Sequence, residues 1–320
     1  MQDQIPAFSG PISAAMDRES PLIRRAPAYD KEKAKTYIPR MAEIRRAIDA
    51  APGDKRLQAY GAIAPGDKAM ASLQAALDGI LAGGHHASLI MMDLETASGV
   101  CYNTNTPFCA QSTIKAIYAG ALLESHPGAL NENGQYLHDA IVYSSNEAYE
   151  RLRTIYGNSC IRKWCQEAGV DASMADPLYP RHKTARDMLK LWTRLYCFLN
   201  GESIAAPFGA YYADSIASAA AEQLGGRYPL QTKAGWENGL PEDADYDPNA
   251  EIPLAYRDND PLNDECAIND TGVIYTAQGP YLFVIYTDRP FGIFPNYRPA
   301  NPLLSLTEAL LNVQQSLHRA

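Results

Sequence analysis

The chain has 320 residues, of which 46% are apolar and 20% charged, and its net charge is −9. That is the balance of a folded globular protein, long enough to bury a sizeable core in one large domain, with or without an extension. The acidic balance and the lack of a basic tract argue against a nucleic-acid partner. No apolar run approaches the length of a membrane span.

Residues 1 to about 36 carry Pro6, Pro11, Pro21 and Pro27 among mixed charges and read as a linker or a surface arm. No basic-then-apolar segment follows residue 1, so a signal segment is not expected in this chain. Met41, Ile44 and Ile48 are helically spaced and end at Pro52-Gly53; the run to Gly66 has no period. A helix is predicted over about 68–82, with Met70, Leu73, Leu77, Ile80 and Leu81 on one face. The apolar run 87–93 reads as a buried strand that turns at Glu95 to Gly99 and returns over 100–103.

The next stretch organises the chain. A helix predicted to start at Ser112 places Ile114, Ile117, Tyr118, Ala121 and Leu122 on one buried stripe. Ser112 and Lys115 are three apart and so neighbours on its surface. Ser112 also lies where free N–H groups favour negative charge. A hydroxyl, a nearby amine and oriented donors are the parts of an acylating serine, although Ser-x-x-Lys alone is also an ordinary capped helix start.

A short helix is predicted over 136–143, and Ser144-Ser145-Asn146-Glu147 opens another that buries Ala148, Leu152 and Ile155 and ends at Gly157. Alone, Ser144 with Glu147 reads as a capping box. Ser159 starts a helix carrying Ile161, Trp164, Cys165 and Ala168, closed by Gly169. After an irregular stretch over 171–182, Met188, Trp192, Leu195 and Leu199 mark a long helix, and a further helix is expected over 209–224.

A strand over 227–236 puts Gln231, Lys233 and Gly235 on one face, where Lys233 alone would pass for an edge charge that discourages aggregation. Residues 238–265 form a long acidic excursion with Arg257 as its one base. A hairpin over 267–275 and 280–287 and a helix over 302–317 close the chain.

The expected architecture is α+β. A five-stranded antiparallel sheet, flanked by helices, stands beside an all-helical lobe at about 112–225, with a cleft between them. Residues 1–67 would form an N-terminal extension and 68–320 the main domain, with the acidic insertion at about 238–265. Cys101 and Cys109 could bridge, but the spacing of the six cysteines forms no framework, and free buried thiols are expected. The six histidines show no ligand spacing, so no metal is expected.

Taken in order, Ser112-x-x-Lys115, Ser144-Ser145-Asn146 and Lys233-Ala234-Gly235 resemble the active-site triple of class A β-lactamases and penicillin-binding proteins. The resemblance runs over about 68–317 and extends to the Asp93-Leu94-Glu95-Thr96 turn and to Asn269-Asp270-Thr271-Gly272-Val273-Ile274. It implies a β-lactamase/transpeptidase-like fold and a serine hydrolase without a cofactor. In that reading Ser112 is the nucleophile and Lys115 its base, its pKa depressed by burial and by Lys233. Ser144 relays a proton to the leaving nitrogen, and Asn146 holds a substrate amide. Lys233 supplies positive potential, and Gly235 admits substrate backbone. The N–H groups of Ser112 and Trp236 form the oxyanion hole.

The implied partner is a small-molecule β-lactam or a D-alanyl cell-wall peptide. The protein is expected to be monomeric and extracytoplasmic, secreted or in the cell envelope. Three departures qualify this. Ser145 and Ala234 differ from the usual motif residues, and Ala234 removes a hydroxyl that normally helps to hold a substrate carboxylate. The stretch Asp171 to Lys183 lacks the glutamate that activates the deacylating water, so slow deacylation is expected. The acidic excursion should lie beside the cleft mouth and repel anionic β-lactams. The alternative is a catalytically silent relative, a binding or structural domain of the cell envelope.

Overall fold

The computed structural model describes residues 29–176, 183–201, 205–237, 267–289 and 301–319. Strands from both ends of this span meet in one antiparallel sheet. They are β1 (Gln58–Tyr60), β2 (Ala87–Asp93), β3 (Ser98–Tyr102), β4 (Leu230–Glu237), β5 (Ala267–Tyr275) and β6 (Pro280–Thr287), in the order β1-β3-β2-β6-β5-β4. The sheet thus has six strands where five were expected. The extra strand, β1, pairs with β3 over three residues and is too short to carry a readable alternation.

Side-chain alternation splits the core in two. On one face Leu89, Met91, Phe283 and Ile285 pack against α3 (Asp67–Leu81) and α11 (Leu304–Ser316). On the other, Ile90, Met92, Leu282 and Val284 belong to the core shared with the helical lobe. The lobe is built around α4 (Ile114–Ser125), whose residues Ile114 to Leu123 are all buried. The expected one-sided stripe is therefore a helix buried all round, because other helices of the lobe enclose it. Gly120 makes that enclosure possible: a Cβ there would lie 2.5 Å from Leu195 and 2.8 Å from Trp164.

Around α4 stand α5 (Ala129–Ile141), α6 (Asn146–Tyr156), α7 (Ser159–Ala168), α8 (Ala185–Gly201) and α9 (Ala205–Ala213), while α10 (Ala219–Leu224) packs with α11 in the other core. α5 starts earlier than predicted and ends before Tyr143. The single helix expected over 209–224 is two, broken where Ala217 takes a φ of +61° and Ser218 caps α10 through Ala221 N–H.

Of the arm read over residues 1 to about 36, the described part from residue 29 packs into the core, as does the expected helix after it. α1 (Lys31–Lys35) and α2 (Met41–Ala50) bury Ala34, Met41, Ile44 and Ile48, and Tyr37 between them is buried as well. Arg186 of α8 clamps the C-terminus of α2, donating to Ile48 O, Asp49 O and Ala51 O at 2.6 Å each. Among the described residues Cys101, Cys109, Cys160, Cys165 and Cys197 form no disulfide with one another, so Cys101 and Cys109 do not bridge. Cys266 and the acidic excursion at 238–265 lie outside the described residues.

Candidate active site

Where the helical lobe meets β4, Lys115, Ser144, Asn146 and Lys233 are joined by hydrogen bonds, and Gly235 lies against the backbone of Ser112. A 3-10 turn, Gln111–Thr113, precedes α4, so Ser112 sits in that turn rather than in the first turn of the α-helix. Gln111 holds a φ of +47°, a costly conformation for a residue with a side chain. The turn is anchored from the sheet: Asn269 of β5 donates from Nδ2 to Cys109 O at 2.8 Å and accepts from Thr287 N–H at 3.0 Å. The edge strand β4 closes on it as well. A Cβ on Gly235 would lie 2.8 Å from Ser112 N and 3.0 Å from Thr113 N, so only glycine lets the two backbones approach this closely.

Lys115 is fully buried one turn beyond Ser112, with its Nζ directed at the start of α6. It donates to Ser144 O at 2.5 Å and to Asn146 Oδ1 at 2.6 Å, and lies 5.9 Å from the centre of the Tyr149 ring. Lys233 reaches the same residue from the sheet, donating to Ser144 Oγ at 2.9 Å and to Ala234 O at 3.0 Å. Ser144, at a φ of +59°, accepts from Lys115 at its carbonyl and from Lys233 at its hydroxyl.

These contacts decide between readings that the sequence left open. The cap of α6 is Ser145, whose Oγ accepts from Ala148 N–H at 3.2 Å, while Ser144 is bound to the lysines. Lys233 is no solvated edge charge: its side chain is buried, with Nζ 5.7 Å from the centre of the Trp236 ring. Ala234 is buried and Trp236 half-buried on the same strand.

Two ammonium groups buried this closely cannot both keep their charge cheaply. Burial pulls the Lys115 pKa down to about 7 against the attraction of Glu150. Lys233 is driven well below its usual range by burial first and by the Lys115 charge second. A lysine amine that is neutral near neutral pH can accept a proton from a hydroxyl, and its neighbour can hold positive potential when protonated.

Behind β4, on β5, Asp270 is buried and accepts from Ser218 Oγ at 2.9 Å, Ala220 N–H at 2.9 Å and Thr271 N–H at 3.0 Å. Burial outweighs those bonds and raises its pKa to about 7. Thr271 Oγ1 donates to Lys233 O at 3.0 Å and steadies the strand that carries the lysine.

Sequence reading missed Asn269 as an anchor of the Ser112 turn, Tyr149 beside Lys115, and Glu150 as the carboxylate that acts on Lys115. The first depends on a contact spanning 160 residues. The other two were present as helix spacing, since Tyr149 and Glu150 lie three and four residues after Asn146.

A family model described as the β-lactamase enzyme family matches residues 124–313, beginning at the end of α4, after Ser112 and Lys115. No curated protein sequence matches the chain. Among solved structures, the chain is similar to a β-lactamase from Desulfarculus baarsii, with 18% identity, a TM-score of 0.53, and coverage of 78% of this chain and 98% of that one. It is similar to a β-lactamase from Chitinophaga pinensis, with 14% identity, a TM-score of 0.55, and coverage of 78% and 99%. A variant of the last common ancestor of Gram-negative bacteria class A β-lactamases aligns with 14% identity, a TM-score of 0.53, and coverage of 76% and 97%. At these identities the matches establish the fold.

Proposed function

The chain belongs to the β-lactamase enzyme family, and from that premise we propose that it is a serine acyl-enzyme acting on a β-lactam or a D-alanyl peptide amide. The observation that carries this reading is the convergence of Lys115 and Lys233 on the two oxygens of Ser144, one turn from Ser112. In its neutral form Lys115 takes the Ser112 proton as the hydroxyl oxygen attacks the amide carbon. The proton passes through Ser144 to the departing nitrogen, leaving substrate esterified to Ser112. Asn146 holds the substrate amide, and Lys233 draws a substrate carboxylate to the strand, with the backbone at Gly235 beside it. The N–H groups of Ser112 and Trp236 face the developing oxyanion, worth about 3 kcal/mol per donor. Ala234 offers no hydroxyl, so a substrate carboxylate is held less tightly here. The setting is outside the cytoplasm.

Deacylation is slow in this reading, because the stretch Asp171 to Lys183 carries no glutamate. Incubation with a penicillin followed by intact-mass measurement should show one adduct on the native chain and none on Ser112→Ala. Nitrocefin turnover at the rate of an efficient β-lactamase would contradict the slow second step.

One observation favours a second reading, a silent binding domain: the Ser112 hydroxyl donates no hydrogen bond among the described residues, while Lys115 is engaged by Ser144 and Asn146. A β-lactam that raises the Tm without forming an adduct would select it.

A further inference from the structure

Trp236 brings a large apolar ring to the lysine that, in the reading above, draws a substrate carboxylate. It follows Gly235, which lies against the backbone of Ser112, and it belongs to β4, the last strand in the order of the sheet. Lys233 Nζ lies 5.7 Å from the centre of the indole and 2.9 Å from Ser144 Oγ, which places the ring at the site. We propose that this indole, as distinct from the backbone N–H of the same residue, selects the substrate: the group lying against β4 beside Lys233 is uncharged and apolar, and a carboxylate there is dispensable. The inference rests on the serine acyl-enzyme reading and narrows its substrate class to neutral amides and esters.

The strand is built for such a group. Alternation puts Ala234 and Trp236 on one face of β4, paired with Asp270 and Ile268 of β5. The Ala234 methyl is fully buried and brings no donor to that face. The indole is half-buried, packed against the core that holds Ile268, with the rest of its surface left to solvent. An apolar substrate group laid over that remainder removes apolar surface from water. A carboxylate laid there gives up hydration without gaining a hydrogen bond.

Lys233 is already engaged. It is fully buried, donates to Ser144 Oγ and to Ala234 O, and has the indole within the range of a cation–π contact. Burial first and the Lys115 charge second drive its pKa well below the usual range, which weakens its pull on an anion at neutral pH. The chemistry at Ser112 is unchanged by the choice of substrate. The acyl carbon gains the bond to Ser112 Oγ, its bond to the leaving nitrogen or oxygen breaks, and that atom takes the proton.

The test measures acylation of the full chain by benzylpenicillin and by its methyl ester, which differ only in the carboxylate. Adducts are followed by intact mass, and each rate is divided by the probe's own rate with hydroxide. The native chain should take the ester faster than the acid, by about threefold or more. Trp236→Ser should shift that ratio about tenfold or more toward the acid, while Trp236→Phe, which keeps a ring, should hold it near the native value. Ala234→Thr, which restores a hydroxyl, should also move it toward the acid. A merely structural effect slows both probes alike and leaves the ratio in place.

A native chain that takes the acid faster than the ester overturns the proposal. So does a ratio that Trp236→Ser leaves unchanged. Absence of an adduct from both probes overturns the acyl-enzyme reading, and the proposal falls with it.

Discussion

Two regions of this molecule bury lysines, and they treat them in opposite ways. Lys190, on α8, places its Nζ 2.9 Å from Asp49 Oδ1 and 2.7 Å from Gly169 O, so its charge meets a carboxylate and a helix C-terminus. Lys115 and Lys233, where the lobe meets β4, donate to two carbonyls, an amide and a hydroxyl, and the pKa of each is depressed. The first arrangement joins α2 to α8 through an ion pair. The second makes charge costly and yields an amine able to take a proton at neutral pH. Perturbation of this kind collects at sites of chemistry more often than in structural frameworks.

The sharpest way to break this comparison is to remove a cleft amine. Lys115→Met should lower the acylation rate by about 10²–10⁴-fold, the range for loss of a general base, with the fold retained by circular dichroism. An acylation rate within threefold of native would put Lys115 with Lys190 as a structural cation.

Gly235→Ala tests the approach of β4 to the Ser112 turn. A Cβ there meets Ser112 N at 2.8 Å, so the turn must give way, at about 1–3 kcal/mol in stability and with slower acylation. Unchanged urea midpoints and rates would show that the turn is not held by this contact.

pH dependence sharpens the contrast between the groups of the site. Lys115 loses its proton near pH 7 when folded and near 10.5 when unfolded. Between those values the unfolded chain binds more protons, so this group's contribution to stability rises with pH. Acylation should rise through the same pH of about 7 as the neutral amine forms. Asp270 behaves in the opposite sense. It keeps its proton up to about 7 when folded and to about 3.8 when unfolded, so its contribution falls as pH rises across that window. Urea melts from pH 5 to 9 should lose the alkaline rise in Lys115→Met and the acidic fall in Asp270→Asn.

The smallest effect belongs to the structural pair. Asp49 is half exposed, so Asp49→Asn should cost about 1 kcal/mol and leave acylation untouched. A loss of acylation would mean that the α2–α8 joint supports the cleft.

The fold was largely legible because long periodic segments carry their own signal. The five strands beginning at Ala87, Ser98, Leu230, Ala267 and Pro280 and the helices around Leu73, Trp192 and Leu310 lie where the apolar spacing puts them. What escaped was short or borrowed from elsewhere. β1 has three residues, and Ile44 and Ile48 gave no hint that their helix would be clamped by Arg186. The break between α9 and α10 rests on a positive φ at Ala217, which no propensity announces.

The same division runs through the site. The resemblance of three short motifs singled out Ser112, Lys115, Ser144, Asn146, Lys233 and Gly235 as candidates, because motif residues are local facts of the sequence. Which atom faces which was decided by the tertiary structure. Only the packing of the helical lobe against the sheet buries two lysines against one serine and so depresses their pKa values. Only the long-range anchor of Asn269 and the close pass of Gly235 bring the Ser112 turn onto β4. Desolvation and charge repulsion depend on distance in space, and distance in space is the quantity that spacing along a chain does not contain.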